Sequence, residues 1–286
     1  MRTIVYIILA ALVFGIFAEG YTGLVRKENK LTIQATDKNL PDESLSHSAA
    51  IISGRLKSFY GRAFRIEVNP AMKQVIIHAG EVKDAGMLAK LAIQPGNMGF
   101  YETLDSAQVA SVWKENSLLA AELNQPQSGT RQAVIGCTPV GNIQKPDLKS
   151  IRFAQVKDLL FGWKISDDGS EACLYGLIPG KNGEAQITGS DIQQMDITHD
   201  KNMTDPAIEI TLKQPAVAVW ADMTGRNLGK EIAIVLDKQV LYSPVVRSVI
   251  SGGKSMITGK FTESELRYIV AMGMNGVLPA TFELVK

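Results

Sequence analysis

The stretch Thr224-Gly225-Arg226-Asn227-Leu228-Gly229-Lys230-Glu231-Ile232-Ala233-Ile234-Val235-Leu236-Asp237 decides the fold class of this chain. It begins as the end of a helix: Pro215 suits a first helical turn, and Ala216, Val219, Trp220 and Met223 follow at helical spacing. It ends as a strand, because 232–236 is an unbroken apolar run of the kind covered on both faces. Asp237-Lys238 then makes a tight turn into Val240-Leu241-Tyr242. Upstream, Ile208, Ile210 and Leu212 alternate, which predicts a strand with one wet face. Downstream, 245–250 and 255–258 flank Ser251-Gly252-Gly253-Lys254 and read as a hairpin. Thr262 and Glu265 form a capping box for a helix with Leu266, Ile269 and Val270 on its apolar stripe. Gly276 and Pro279 end that helix, and 281–285 reads as a closing strand.

The first half carries a second α+β pattern. A strand at 31–35 precedes a helix whose apolar face is Ala49, Ile52, Leu56 and Phe59 and whose stop is Gly61. Phe64, Ile66 and Val68 alternate as a strand, Asn69-Pro70 turns, and Val75-Ile76-Ile77 returns. A short helix over 87–92 and a strand over 98–101 complete a strand, helix, hairpin, helix, strand order, the ferredoxin-like arrangement. Asp105 and Gln108 cap a helix predicted to run to about Leu123, with Gln125-Pro126 ending it. The stretch 127–149 is rich in Gly, Pro and polar residues and reads as irregular.

Composition removes several functions. With 30 basic and 29 acidic residues the formal charge is +1, and the basic residues are scattered, which argues against nucleic acid as a partner. Gly253-Lys254-Ser255 imitates the end of a phosphate-binding loop, but Ser248 stands where that loop needs glycine, and the segment joins two predicted strands. His47, His78 and His199 have no second histidine at ligand spacing; Asp196, His199 and Asp200 are read as a solvated loop rather than a cation site. No catalytic, cofactor-binding or metal residues are assigned.

Arg2 precedes an uncharged, mostly apolar run over 3–18, with Ala18 and Gly20 at signal-peptidase spacing. Two readings stand, a signal peptide within 1–20 or a single membrane anchor, and both place the remainder outside the cytoplasm. Cys137 and Cys173 are either one disulfide, as an oxidising compartment permits, or two separate buried thiols, the simpler expectation.

The C-terminal motifs, taken in order, resemble one family. Thr224 to Asp237 leads to Tyr242-Ser243-Pro244, Ile250-Ser251-Gly252-Gly253, Ile257-Thr258-Gly259-Lys260-Phe261-Thr262 and Gly276-Val277-Leu278-Pro279. This series is similar to the first periplasmic domain of SecD, an accessory subunit of the bacterial Sec protein-export machinery. Ile187-Thr188-Gly189-Ser190-Asp191 resembles the family's lead into the same subdomain, and a weaker likeness covers 51–100, including Arg55-Leu56.

The resemblance implies an α+β protein with a ferredoxin-like base over 31–104, a connecting helix over 105–127 and a head over 128–286, whose last strand is a candidate to return to the base. It implies structural roles for Thr224, Asn227, Gly229, Asp237, Pro244, Gly252, Gly253, Gly259, Thr262, Gly276 and Pro279. Gly252, Gly253, Gly259 and Gly276 are expected to supply positive backbone angles, and Pro244 and Pro279 to fix chain direction. Function follows as an expectation: a non-enzymatic envelope protein binding unfolded or exported polypeptide, or a translocon-associated membrane protein. The competing expectation is a scaffolding envelope protein that keeps the fold without export work. Three departures stand out. The family's Asp-Leu-x-Gly-Gly stretch has no counterpart in 31–40. Lys238 replaces a turn glycine, so either a left-handed turn there costs about 1 kcal/mol or the turn differs. Nothing after Lys286 corresponds to the family's membrane bundle, so at most one anchor and no proton-driven cycle are expected of this chain alone.

Overall fold

The computed structural model of the protein describes residues 30–285 apart from 126–132, 145, 149–150, 152, 157 and 200–204. The apolar segment 3–18, read above as signal or anchor, lies outside the described residues. Among the described residues no helix is long and apolar enough to cross a membrane.

In chain order the elements are β1 (Lys30–Ala35), α1 (Asp42–Tyr60), β2 (Arg65–Asn69), β3 (Gln74–His78), α2 (Ala85–Ile93), β4 (Met98–Thr103), α3 (Ser106–Glu115), β5 (Val134–Pro139), β6 (Leu160–Ile165), β7 (Glu171–Ile178), β8 (Ile187–Thr188), β9 (Ile192–Thr198), β10 (Ala207–Leu212), α4 (Gln214–Arg226), β11 (Ile232–Leu236), β12 (Gln239–Tyr242), β13 (Lys254–Ile257), α5 (Glu263–Met274) and β14 (Phe282–Leu284). The chain is therefore α+β. Its contacts divide it into two units. One comprises Met98–Asp191 with Leu212–Lys254; the described part of the other comprises 30–97, Ile192–Thr211 and 255–285.

The second of these units holds a four-stranded antiparallel sheet in the order β14-β1-β3-β2. Ile33 stands between Val75 and Leu284 and is fully buried. Helix α1 turns Leu45, Ala49, Ile52 and Leu56 inward, and Gly61 closes it at φ 69°, donating its N–H to Lys57 O. Asp84 caps α2 by accepting from Met87 N. A three-stranded sheet, β13-β10-β9, belongs to the same unit, with α5 packed on β9 and on α1.

The other unit closes five strands on themselves. β7 pairs with β6, β6 with β12, β12 with β11, β11 with β4, and β4 again with β7. Alternation along β7 separates two cores. Cys173, Tyr175 and Leu177 face a cluster with Ala233, Val235 and Val240. Leu174 faces the opposite cluster, where Val109 and Val112 of α3 cover Ile135 and Leu104. Gly162 is required on β6, since a Cβ there would lie 2.9 Å from Val240 Cγ2 and 3.1 Å from Leu177 Cδ1.

Several sequence expectations are corrected. The strand at 98–103 does not join the sheet of β1; it pairs along its length with β11, from Met98↔Leu236 to Glu102↔Ile232. Its place beside β1 is taken by β14. Both strands are short and apolar, and only long-range pairing separates the choices. The helix from Ser106 stops at Glu115, not near Leu123, because Asn116 leaves helical geometry and its side chain donates to Val112 O; a 3₁₀ turn, Ser117–Ala121, follows. The irregular stretch 127–149 contains β5, whose Gly136 lets the chain pass Leu123 and Asn124, since a Cβ would sit 2.9 Å from Leu123 Cβ. The expected hairpin around Gly252-Gly253 is absent: β13 pairs with β10, and 245–250 forms no strand.

Candidate functional site

The residues singled out in the sequence fall into both units. Thr224, Asn227, Gly229, Asp237, Pro244, Gly252 and Gly253 lie in the unit of the closed strands; Gly259, Thr262, Gly276 and Pro279 lie in the other.

In the first group the end of α4 becomes a clamp for the irregular segment 243–253. Thr224 is fully buried; its hydroxyl donates to Trp220 O at 2.8 Å and accepts from Ile250 N at 3.0 Å. The backbone of the segment then runs along 228–232. Gly229 N donates to Val246 O at 2.9 Å, Val246 N to Lys230 O at 2.9 Å, and Ile232 N to Pro244 O at 3.1 Å. Ser243 Oγ donates to the buried Glu231 carboxylate at 2.8 Å. Gly229 holds φ 75° and Gly253 φ 69°; at Gly253 a Cβ would meet Val217 Cγ2 at 2.5 Å. Gly253 O also receives Leu212 N at 2.8 Å, so Gly253-Lys254-Ser255 leads into a strand and not a helix.

A carboxylate that the sequence reading passed over anchors this clamp. Glu102 of β4 accepts Arg226 Nε at 2.9 Å, Asn227 Nδ2 at 2.8 Å and Gln186 Nε2 at 3.0 Å. Arg226 also pairs with Asp222, and the Glu102 carboxylate beside it pushes the guanidinium pKa further up. Asn227 closes α4 by a second bond from Nδ2 to Met223 O at 2.8 Å. Nearby, Asp105 caps α3 and meets Lys230 Nζ at 3.0 Å; the Gln108 backbone N–H, aided by Lys230, holds its carboxyl below the ordinary range. Glu102 lies among ordinary strand residues, and only its pairing partners reveal its role.

What this frame presents is aliphatic. Leu228, Val245 and Val249 are 50%, 49% and 50% exposed. Leu228 bridges Val246, Val245 bridges Glu231, and Val249 lies 3.9 Å from where a Cβ on Gly225 would stand. Single exposed aliphatics are ordinary. Here three lie at 228, 245 and 249, beside backbone tied down by hydrogen bonds at Gly229, Val246 and Ile250.

The β11–β12 turn has positive φ at both Asp237 (51°) and Lys238 (71°), as a two-residue hairpin of the primed type requires. The turn is therefore left-handed despite the lysine. Gly252 and Gly259, expected to carry positive φ, do not; Gly253 and Gly276 do. In the other unit Thr262 and Glu265 make their capping box through bonds of 2.7 Å and 3.3 Å. Gly276, at φ 81°, aims its carbonyl at Arg55 Nη2, 2.6 Å away. Pro279 follows Leu278, whose N–H donates to Pro95 O at 2.8 Å. Arg55 is fully buried and also donates to Gln94 O and Pro95 O at 2.6 Å each, gathering the chain after α2 and after α5 onto α1. Gly96 makes room, since a Cβ there would stand 2.0 Å from Arg55 Nη2. A cation on the apolar face of α1 was the available signal.

The histidines stay apart. His47 is exposed on α1, His78 ends β3 at 3.1 Å from Glu67, and His199 lies 3.7 Å from Glu263. Asp200 lies outside the described residues. The expectation of two separate thiols is overturned: Cys137 and Cys173 form a disulfide. They stand directly opposite each other on β5 and β7, so no backbone movement is needed to join them.

Comparison with known proteins agrees with this architecture. The sequence pattern of the SecDF P1 head subdomain matches residues 179–280. Protein translocase subunit SecD of Rhodothermus marinus is 31% identical over 144 residues, covering 50% of this chain and 23% of that protein. SecD of Aquifex aeolicus is 37% identical over 121 residues, covering 42% of this chain and 23% of that protein. The matched region is thus under a quarter of these relatives' length. A solved structure of SecDF, described as a membrane component that enhances protein export, superposes with a TM-score of 0.53 at 20% identity over 90% of this chain and 98% of that one. SecDF in its super-membrane-facing form gives 0.54 at 18% identity over 90% and 29%. At such identities the superpositions speak for the fold. The chain is a homologue of the periplasmic P1 domain of SecD and SecDF, with its sequence match centred on the head subdomain.

Proposed function

We propose that this protein is a non-catalytic envelope module that binds extended, exported polypeptide through the apolar rim of its head. What supports the reading is the set of side chains that would make up this rim: Leu228, Val245 and Val249, half exposed beside backbone hydrogen-bonded to α4 and to residues 229–232. Exposed aliphatic side chains suit partners that share apolar character and little else. A rigid frame lowers the ordering cost of each encounter. In this reading a translocon-associated membrane protein is the alternative occupant.

The same proposal divides the molecule into a base and a head. The strand order β14-β1-β3-β2 with α1 and α2 supports a ferredoxin-like base completed by the last strand. The Cys137–Cys173 disulfide supports a location outside the cytoplasm, where such bonds persist. Segment 3–18 is proposed as the signal or anchor that takes the chain there.

The test is photo-crosslinking in cells from Leu228, Val245 and Val249, with exposed Glu43 on α1 as control and mass spectrometry as readout. Rim-specific capture of exported chains or translocon components is expected. Capture equal to the Glu43 control, or capture of envelope scaffold components alone, refutes the reading.

A further inference from the structure

Among the described residues, the ligand atoms of Cys137, Glu171 and Cys173 all lie within 4.8 Å of one another, the two sulfurs being joined as a disulfide. The sheet itself creates this convergence. Cys137 turns its N–H and C=O to Asn124, at 2.9 and 2.8 Å, which leaves Cys137↔Cys173 a non-hydrogen-bonded pair. Such pairs bring side chains close, and the Cα atoms are 4.0 Å apart. Glu171 precedes Cys173 by two positions, so it shares the same face of β7, and its Oε2 lies 3.9 Å from Cys173 Sγ. Both cysteines are buried, whereas Glu171 is exposed and opens the group to solvent. On β6, Lys164 stands opposite Cys173 in register.

We propose that reduction of the Cys137–Cys173 disulfide turns this corner of the sheet into a zinc site. A dithiol reductant supplies two electrons and two protons; the protein S–S bond breaks, two thiols form, and the reductant closes to its own disulfide. Zinc then forms bonds to the two sulfurs and to a Glu171 oxygen, and the two thiol protons leave to solvent. Three protein ligands and one water complete a tetrahedron. In such a site ligand atoms sit roughly 3.3–3.8 Å apart, close to the 3.9 Å between Cys173 Sγ and Glu171 Oε2 and within the 4.8 Å that bounds the whole group. Two thiolates exclude magnesium and calcium, and the carboxylate favours zinc over copper(I). Two thiolates and a carboxylate exceed the metal's charge by one, and Lys164 is the cationic residue in register with Cys173 on the neighbouring strand. Oxidation and metal occupancy use the same sulfur atoms and therefore exclude each other, so the corner acts as a thiol–metal switch.

The test uses the full chain, reduced with a phosphine under argon, freed of reductant and titrated with cobalt(II) and then zinc. One cobalt per chain is expected, with thiolate charge-transfer absorption and the intense visible bands of a tetrahedral ion, both lost on adding zinc. The oxidised protein is expected to show neither. Glu171→Gln keeps both thiols and is expected to weaken binding by about tenfold or more; Cys137→Ser removes the charge-transfer band. Circular dichroism follows folding in each state. The proposal is overturned by reduced, folded protein without the charge-transfer band, by equal binding in the oxidised protein, by unchanged affinity in Glu171→Gln, or by a reduced chain that is unfolded and stays so with metal.

Discussion

Removing the disulfide is the perturbation whose size the structure sets most directly. The bond closes a chain segment with a sequence separation of 36, most of it between β5 and β7 and poor in regular structure. Restricting a loop of that length in the unfolded chain is worth about 3.8 kcal/mol at 25 °C in the chain-entropy description. That is a large share of the roughly 5–15 kcal/mol that holds a typical domain together. The double variant Cys137→Ala/Cys173→Ala retains the β5–β7 ladder and loses little buried volume, so the loop term should dominate. All three tryptophans, Trp113, Trp163 and Trp220, lie in the same unit as the disulfide. Their fluorescence during urea unfolding therefore reports the unit that loses the cross-link. The midpoint should fall by an amount equivalent to about 3–4 kcal/mol, with a melting temperature lower by about 8–15 °C. A loss under about 1 kcal/mol, or quantitative labelling of two free thiols in protein made in an oxidising compartment, would refute the reasoning.

Three further outcomes follow from named contacts. Lys238→Gly should stabilise the protein by about 1 kcal/mol, because a left-handed turn position is relieved of its Cβ; unchanged urea midpoints would count against the turn geometry. Arg55→Met should cost about 3 kcal/mol or more, since buried carbonyls of Gln94, Pro95 and Gly276 lose a charged donor; a thermal melt within error of the parent would contradict that account. Asp168 accepts from Ser166 Oγ, Ser170 N and Ser170 Oγ, which hold its carboxyl at about 2 against an ordinary 3.8. A depressed value stabilises the folded turn above the ordinary carboxylate range, and this is lost as pH falls toward 2. An NMR titration midpoint near 3.8 for that carboxyl would remove the effect.

Much of the local structure was legible. The capping boxes at Asp105/Gln108 and Thr262/Glu265 are read from residues three apart, and both form. Gly61 stops α1 because a left-handed residue is needed there and glycine takes that shape without strain. The alternation of Ile208, Ile210 and Leu212 is the buried face of β10. Strand partners were less legible, because the partner lies elsewhere along the chain. Residues 245–250 have strand-like composition, but their backbone bonds go to 229, 230 and 232 and to the Thr224 hydroxyl, so no ladder forms. Gly252 looked equivalent to Gly253, but of the two only Gly253 takes a positive φ and lies against Val217.

The candidate site divides the same way. That Leu228, Val245 and Val249 are apolar is plain from the sequence; that they stay exposed is decided by the clamp around Thr224, Asn227 and Glu102. By itself the sequence determined the α+β class, the order of most elements, the helix caps and the family likeness, because each rests on spacing within a turn or two of chain. The tertiary structure alone decided which strand lies beside β1, that Cys137 faces Cys173, and that Glu102 and Arg55 are hubs. Those are choices among distant partners with similar local chemistry, and only the assembled packing makes one of them lower in free energy.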